Sequence, residues 1–166
     1  MYKTLILTIS DKGSRGERID TAGPAVKEML ERHCFQVTAI NIISDDPDQI
    51  KDALIKATDS SEIDLILTVG GTGFAPRDNT PEATIAVCDR LVPGIPEAMR
   101  RESSKYTQRA MLSRAVAGIR NNCLIVNLPG SEKAARENLS AVLDTLPHGL
   151  DMLLQNRGEC ATTPDH

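Results

Sequence analysis

Aromatic residues are nearly missing from this chain of 166 residues, which has no tryptophan, two tyrosines and two phenylalanines. The stacking platforms on which single-stranded nucleic acids are held are therefore absent. Positive charge is not in excess either: the formal net charge is -4, where a nucleic-acid binder would carry a basic stripe. No apolar run reaches the length needed to cross a bilayer. The N-terminal stretch MYKTLILTIS is too short for a signal peptide and lacks its small-residue cleavage site, so a cytoplasmic location is expected. The four cysteines, Cys34, Cys88, Cys123 and Cys160, are scattered and form no CxxC pair. Three of them lie in or beside apolar stretches and are expected to be buried free thiols.

Several catalytic signatures are also lacking. Without GxxxxGK[ST] the chain is not a P-loop nucleotidase, and without GxGxxG after the first strand a dinucleotide-dependent dehydrogenase is disfavoured. His33, His148 and His166 have no metal-ligand spacing, and no GxSxG elbow occurs. No side-chain nucleophile stands out. A reaction in which the substrate brings its own nucleophile fits better than a covalent enzyme intermediate.

What is present describes a folded α/β protein. Hydrophobic residues make up 40% and charged residues 25%, within the globular range. Residues 1–156 read as a single domain and residues 157–166 as a polar, flexible tail. Strand patterns are expected over Lys3 to Ile9, Gln36 to Ile43 and Leu65 to Val69. Ala115 to Ile119 and Cys123 to Asn127 come next as a hairpin around Arg120-Asn121-Asn122, because Asn tolerates positive φ. Helices are expected from Thr21 (a candidate cap) to His33, from an Asp46-Pro47-Asp48-Gln49 capping box to Thr58, and over Pro81 to Cys88. Further helices are expected over Pro96 to Ser104, from a Ser131 cap to Leu143, and over His148 to Gln155. This alternation predicts a three-layer α/β fold: a mostly parallel sheet, helices on both faces, and one antiparallel strand from the hairpin.

The most informative segment is Leu65 to Thr84, LILTVGGTGFAPRDNTPEAT. An apolar run meets Gly70-Gly71-Thr72-Gly73, then a loop with Arg77 and Asp78, then the helix start Thr80-Pro81-Glu82. Glycines there let backbone N–H groups approach a ligand that a Cβ would hold off. A helix start nearby favours a phosphate or another anion. Ligands of open parallel sheets bind beyond the carboxyl ends of the strands, so the residues just after each strand carry the most information. Ser10-Asp11-Lys12-Gly13-Ser14, Ser44-Asp45-Asp46, the glycine loop with Asp78, and Asn127-Leu128-Pro129-Gly130-Ser131 would all reach one edge. A phosphate ligand beside Asp45 and Asp78 calls for a divalent cation between them, and Mg²⁺ takes one or two carboxylates with phosphate oxygens and water. Arg77 and Lys12 would offset further charge. Plainer readings stand beside these: Asp45 as a helix cap, although Asp46 is better placed; Asp78 as a turn residue; Arg77 as a solvated surface charge.

These residues resemble the molybdopterin adenylyltransferase family of the MogA/MoaB type, also found as the G domain of gephyrin. The likeness rests on Leu67 to Gly73 and on Pro76 to Thr84. It extends to Ser10-Asp11, Asp20 to Pro24, Met111 to Arg114, Ala117 to Arg120 and Asn127 to Gly130, and covers Thr4 to about Gln155. It implies the molybdenum cofactor biosynthesis protein fold and a reaction in molybdenum cofactor synthesis. The terminal phosphate of molybdopterin attacks the α-phosphate of ATP, with Mg²⁺, giving adenylylated molybdopterin and pyrophosphate. It further implies that Asp45 and Asp78 are the catalytic and Mg²⁺-binding groups. Gly70, Gly71, Thr72 and Gly73 with Asn127, Pro129, Gly130 and Ser131 would hold phosphates and pterin, and Ser10, Asp20 and Ser113 would add polar contacts. Phe74 would lie against a ring system or at a subunit contact.

Two positions depart from the family pattern: Ser44 stands before Asp45 where Pro is frequent, and Asn79 comes after Asp78 where Val is common. Neither removes a charged group. Family members form homotrimers or homohexamers, and without a fused insertion domain, metal insertion would fall to a separate molybdenum-insertion enzyme. Two further readings from other classes remain. One is a non-catalytic molybdopterin-binding module of the same fold, which the presence of both aspartates disfavours. The other is a scaffold acting through oligomerisation.

Overall fold

The computed structural model describes residues 1–155. The tail expected at 157–166, with Cys160 and His166, lies outside them. The central strands are β1 (Tyr2–Ile9), β3 (Leu65–Val69) and β6 (Cys123–Leu128), with all of β3 and all of β6 buried. Their near-continuous apolar runs reflect coverage on both faces. Side chains alternate between those faces. Ile6, Leu65, Leu67, Val69, Leu124, Val126 and Leu128 join one core, while Leu5, Leu7, Ile9, Ile66, Cys123 and Ile125 join the other. Helices α2 (Ala22–Glu31), α5 (Gly94–Ser103), α6 (Glu132–Ser140) and α7 (Leu146–Leu154) cover the first face through Val26, Met99, Leu139 and Leu150. On the second face α3 (Pro47–Asp59) and α4 (Thr80–Val87) pack through Ile50, Leu54, Ala83 and Val87.

Strand β2 (Phe35–Ile43) forms one edge beside β1, and β4 (Arg90–Leu91) forms the other beside β5 (Ala117–Arg120). The order is β2-β1-β3-β6-β5-β4, and β5 alone runs against its neighbours. This is the expected mostly parallel sheet with one reversed strand. Because β1 leads outward to β2 while the chain returns over β1 to β3, a switch of direction falls between β1 and β3, where ligands of such sheets lodge.

Local details refine the sequence expectations. The hairpin turn is the two-residue Asn121-Asn122, since Arg120 pairs with Cys123, and Asn121 takes φ 53°. Asp46 caps α3 by accepting from the Asp48 and Gln49 N–H groups. The reciprocal half of a capping box is missing, because the Gln49 side chain accepts from the Ser44 hydroxyl instead. Thr21 makes no side-chain cap bond. Asp20 does that work, accepting from the Gly23 N–H at 3.0 Å. A short helix α1 (Asp11–Ser14), the 3-10 turn Gln108–Leu112 and β4 are additions to the expected elements. Among the described cysteines only Cys123 is buried; Cys88 is half-buried, and Cys34 is exposed because it sits in the turn just ahead of β2.

Candidate functional site

Parallel alignment sends the carboxyl ends of β1, β2, β3 and β6 to one rim, and the backbone ladder continues past them. The Ser10 N–H donates to Ile43 O at 2.9 Å and the Gly70 N–H to Leu128 O at 3.0 Å. A cleft of about 320 Å³ opens along this rim. Of the residues expected there, Ser10, Asp20, Asp45, Gly70, Gly71, Asp78, Gly130 and Ser131 line it. Asp45 and Asp78, 33 positions apart in sequence by their numbers, therefore face the same cavity.

Two glycines make the rim compact. Gly70 has φ +113°, and a Cβ there would collide with the Ile9 carbonyl oxygen. Gly71 has φ +66°, and its Cβ would collide with Thr80 Oγ1 and lie 3.5 Å from Asp45 Oδ1. Backbone and carboxylate thus approach where no other residue leaves room. The Thr80 hydroxyl is buried and finds no hydrogen-bond partner among the described residues, so the floor of the glycine loop keeps an unsatisfied polar atom beside Gly71.

Each carboxylate is held differently. Asp45 accepts from the Asp11 N–H at 2.8 Å, and the Asp45 N–H donates to Asp11 Oδ1 at 3.0 Å. Asp46, not Asp45, caps α3, so the plain reading of Asp45 as a cap does not apply. Burial pushes the Asp45 carboxyl above its ordinary range; the Asp11 N–H acts in the opposite direction, and the charges of Asp11 and Asp78 add to the rise. Asp78 accepts from the Ala75 N–H at 3.0 Å, which closes the Ala75–Asp78 turn. Its second role, facing the cleft, is compatible with that turn.

Arg77 pairs with Asp11 through both Nε and Nη2, the latter at 2.9 Å, which holds the Asp11 carboxyl below its usual range. Its side chain remains 59% exposed, so it is a surface charge, but one paired with a carboxylate rather than free. Arg114 staples the glycine loop: its N–H donates to Thr72 O at 3.0 Å and its Nε to Gly73 O at 2.7 Å. Its guanidinium also bonds Asp78 O and Glu82. Arg18 lines the cleft beside Asp20 and makes no ion pair among the described residues. The sequence offered no signal for Arg18, whereas Asp11 and Arg114 both lie inside recognisable motifs.

Five expected residues do not line the cleft. Thr72 and Gly73 turn their carbonyls to Arg114, Ser113 accepts through its hydroxyl from the Ala115 N–H, and Pro129 is only half-buried. Asn127 is fully buried within β6. Its amide donates to Thr68 Oγ1 and Thr84 Oγ1, both at 2.9 Å, and its Oδ1 accepts from the Val116 N–H. It locks β3, β6 and α4 together beneath the site. Asn127→Ala leaves the buried Thr68 and Thr84 hydroxyls and the Val116 N–H without this partner and is expected to cost about 3 kcal/mol, read as a lowered urea midpoint at unchanged m-value. A midpoint equal to that of the unsubstituted chain would refute the locking role.

Known proteins share this framework along nearly the whole chain. The family model described as a probable molybdopterin binding domain matches residues 5–148. The molybdopterin adenylyltransferase of Helicobacter pylori (strain J99) is 44% identical over 153 residues, covering 91% of this chain and 87% of that protein. Gephyrin of Dictyostelium discoideum is 41% identical over 158 residues, covering 89% of this chain but 22% of gephyrin, so the chain corresponds to one part of that larger protein. The crystal structure of the molybdopterin biosynthesis enzyme MoaB from Thermus thermophilus superposes with a TM-score of 0.89 at 52% identity, covering 93% of this chain and 98% of MoaB. A glycine-lined rim with two converging aspartates, on a fold shared along nearly the whole length with such proteins, places this chain in the probable molybdopterin binding domain family, with relatives of the MogA/MoaB type.

Proposed function

We propose that this chain is a molybdopterin adenylyltransferase of molybdenum cofactor biosynthesis. The observation that carries the reading is the joint exposure of Asp45 and Asp78 to one glycine-lined cleft, in a chain 44% identical to a molybdopterin adenylyltransferase. In the proposed reaction an oxygen of the molybdopterin terminal phosphate bonds to the α-phosphorus of ATP. The bond from that phosphorus to the β-phosphate bridging oxygen breaks, and pyrophosphate leaves with the electron pair. Such a transfer needs positioning and charge compensation rather than a protein nucleophile.

The donor set suits Mg²⁺. Two carboxylates facing one cavity are what this ion takes alongside phosphate oxygens and water, and among the described residues no larger cluster of His, Cys, Asp or Glu competes for it. Asp45 and Asp78 would hold the ion, which when bound neutralises charge between ligand phosphates. Burial makes the Asp45 charge costly in the free protein, so a bound cation would stabilise it. Gly70, Gly71 and Gly130 would admit phosphates to the backbone, while Ser10, Asp20 and Ser131 supply polar edges and Arg18 a cationic one. Phosphate and pterin contacts by Thr72, Gly73, Ser113, Asn127 or Pro129 would have to run through the backbone or a rearranged rim.

Assembly into a homotrimer or homohexamer, a cytoplasmic location and transfer of product to a molybdenum-insertion enzyme belong to the same reading and are supported by the family resemblance. No helix among the described residues is long and apolar enough to cross a membrane. Incubating the protein with molybdopterin, ATP and Mg²⁺ should give adenylylated molybdopterin and pyrophosphate, identified by mass spectrometry. Molybdopterin retained but unmodified would instead identify a non-catalytic binding module.

A further inference from the structure

We propose that Asp11 is a positioning residue for the adenylyl transfer: clasped by Arg77, it fixes Asp45 at the cleft and ties the Ala75–Asp78 turn to it. The inference rests on the reading of Asp45 and Asp78 as the reacting site. Asp11 itself does not line the cleft, so it acts through its neighbours.

The contacts of Asp11 define the role. Its N–H donates to Asp45 Oδ2 at 2.8 Å, and its Oδ1 accepts from the Asp45 N–H at 3.0 Å. These two bonds close a ring joining the end of β1 to the end of β2. Oδ1 also accepts from Arg77 Nη2 at 2.9 Å, and Oδ2 pairs with Arg77 Nε. Arg77 sits in the turn that Asp78 closes by accepting from the Ala75 N–H. One carboxylate thus connects the segments that carry both cleft aspartates.

The plainer explanation is that Asp11 is an acidic residue at the start of a helix, where negative charge is favourable. The bonding pattern argues otherwise. The cap of α1 is provided by Ser10, whose Oγ accepts from the Gly13 N–H at 3.0 Å. Both Asp11 oxygens point away from α1 to Asp45 and Arg77. Placing Asp11 against Asp45 also sets two negative charges side by side, an arrangement that costs free energy unless Arg77 offsets it. A bidentate guanidinium fixes orientation as well as charge, a geometry lysine does not reproduce.

The test compares Asp11→Ala, Asp11→Asn, Arg77→Gln and the double variant Asp11→Asn/Arg77→Gln, in steady-state adenylylation and in amide hydrogen exchange at Asp45. Displacement of a reacting group by about 1 Å can cost about 100-fold in rate. Asp11→Ala is expected to lower kcat about 30-fold with KM for ATP changed less than about 3-fold, and to accelerate exchange of the Asp45 N–H. Asp11→Asn keeps an acceptor for that N–H, so its exchange stays slow and kcat recovers at least about 3-fold. Arg77→Gln should match Asp11→Asn, and the double variant should be no worse than either, because one clasp is broken only once.

Asp11→Ala with kcat within about 2-fold of the unsubstituted chain, or with unchanged Asp45 exchange, overturns the proposal. Should Asp11→Ala fail to fold, the Asp11→Asn and Arg77→Gln pair decides: matching losses of kcat support the clasp, and full kcat in both overturns it. If the unsubstituted chain does not adenylylate molybdopterin, the reading of the reaction fails, while the exchange measurement still judges the clasp on its own.

Discussion

Asp45→Ala and Asp78→Ala are each expected to lower kcat for adenylyl transfer by about 10²- to 10³-fold, the scale of losing one preorganised electrostatic group. The two should differ in what else they change. Asp78 closes the Ala75–Asp78 turn, so Asp78→Ala also loosens the glycine loop, while Asp78→Asn keeps an acceptor and isolates the loss of charge. Asp45 has the opposite balance. Its carboxyl is raised by burial, so the charged form is penalised in the folded protein, and Asp45 lowers stability above its raised folded range. Asp45→Asn is therefore expected to be at least as stable as the unsubstituted chain at neutral pH. The difference should shrink as pH falls through the ordinary carboxylate range and the aspartate becomes protonated in both states. Inactivity combined with undiminished stability separates a functional charge from a structural one. Full turnover in both alanine variants would remove them from the reaction.

Gly70→Ala has the largest expected effect on folding. Its φ of +113° lies outside what an L side chain accepts, and its Cβ would strike the Ile9 carbonyl, a backbone atom of a central strand. Side chains can rotate aside, but Ile9 is held by pairing with both β2 and β3 through its strand. A loss of about 4 kcal/mol is expected, enough to leave much of the protein unfolded or insoluble. Gly71→Ala meets the Thr80 side chain instead, so Thr80→Ala should recover part of its loss; no single side-chain change should do this for Gly70→Ala. Gly94→Ala is the control, since nothing lies within 4 Å of a Cβ there. Thermal unfolding of the four proteins checks the order, and a Gly70→Ala chain as stable as Gly94→Ala would contradict the packing described for the rim.

The contrast between Gly70 and Asn127 shows what the sequence could disclose. The sheet was legible because strands buried on both faces must be apolar almost throughout, as in Leu65–Val69. The glycine loop was legible because positive φ at a strand end leaves few alternatives to glycine. The sequence pattern ends the last strand at Asn127 and gives that residue to the rim, yet β6 continues to Leu128. Alternation then turns it inward with Cys123 and Ile125, toward Thr68 and Thr84. A buried polar residue inside a strand has no periodic signature of its own, so the hydrogen-bond partners had to be seen. The Asp11–Asp45 clasp was hidden for another reason: it joins backbone and side-chain atoms 34 residues apart, with no pattern in between. Arg18 lines the cleft from an exposed loop outside any regular element, where no periodicity marks it. Strand β4, two residues long, is too short for any periodicity to register.

The most direct test of one shared cation site is paramagnetic broadening by Mn²⁺ in place of Mg²⁺, with ATP, on isotopically labelled protein. The amide signals of Asp45, Gly71 and Asp78 should broaden first and together, and Asp45→Ala/Asp78→Ala should abolish the effect. Broadening centred elsewhere, or surviving undiminished in that double variant, would contradict the account.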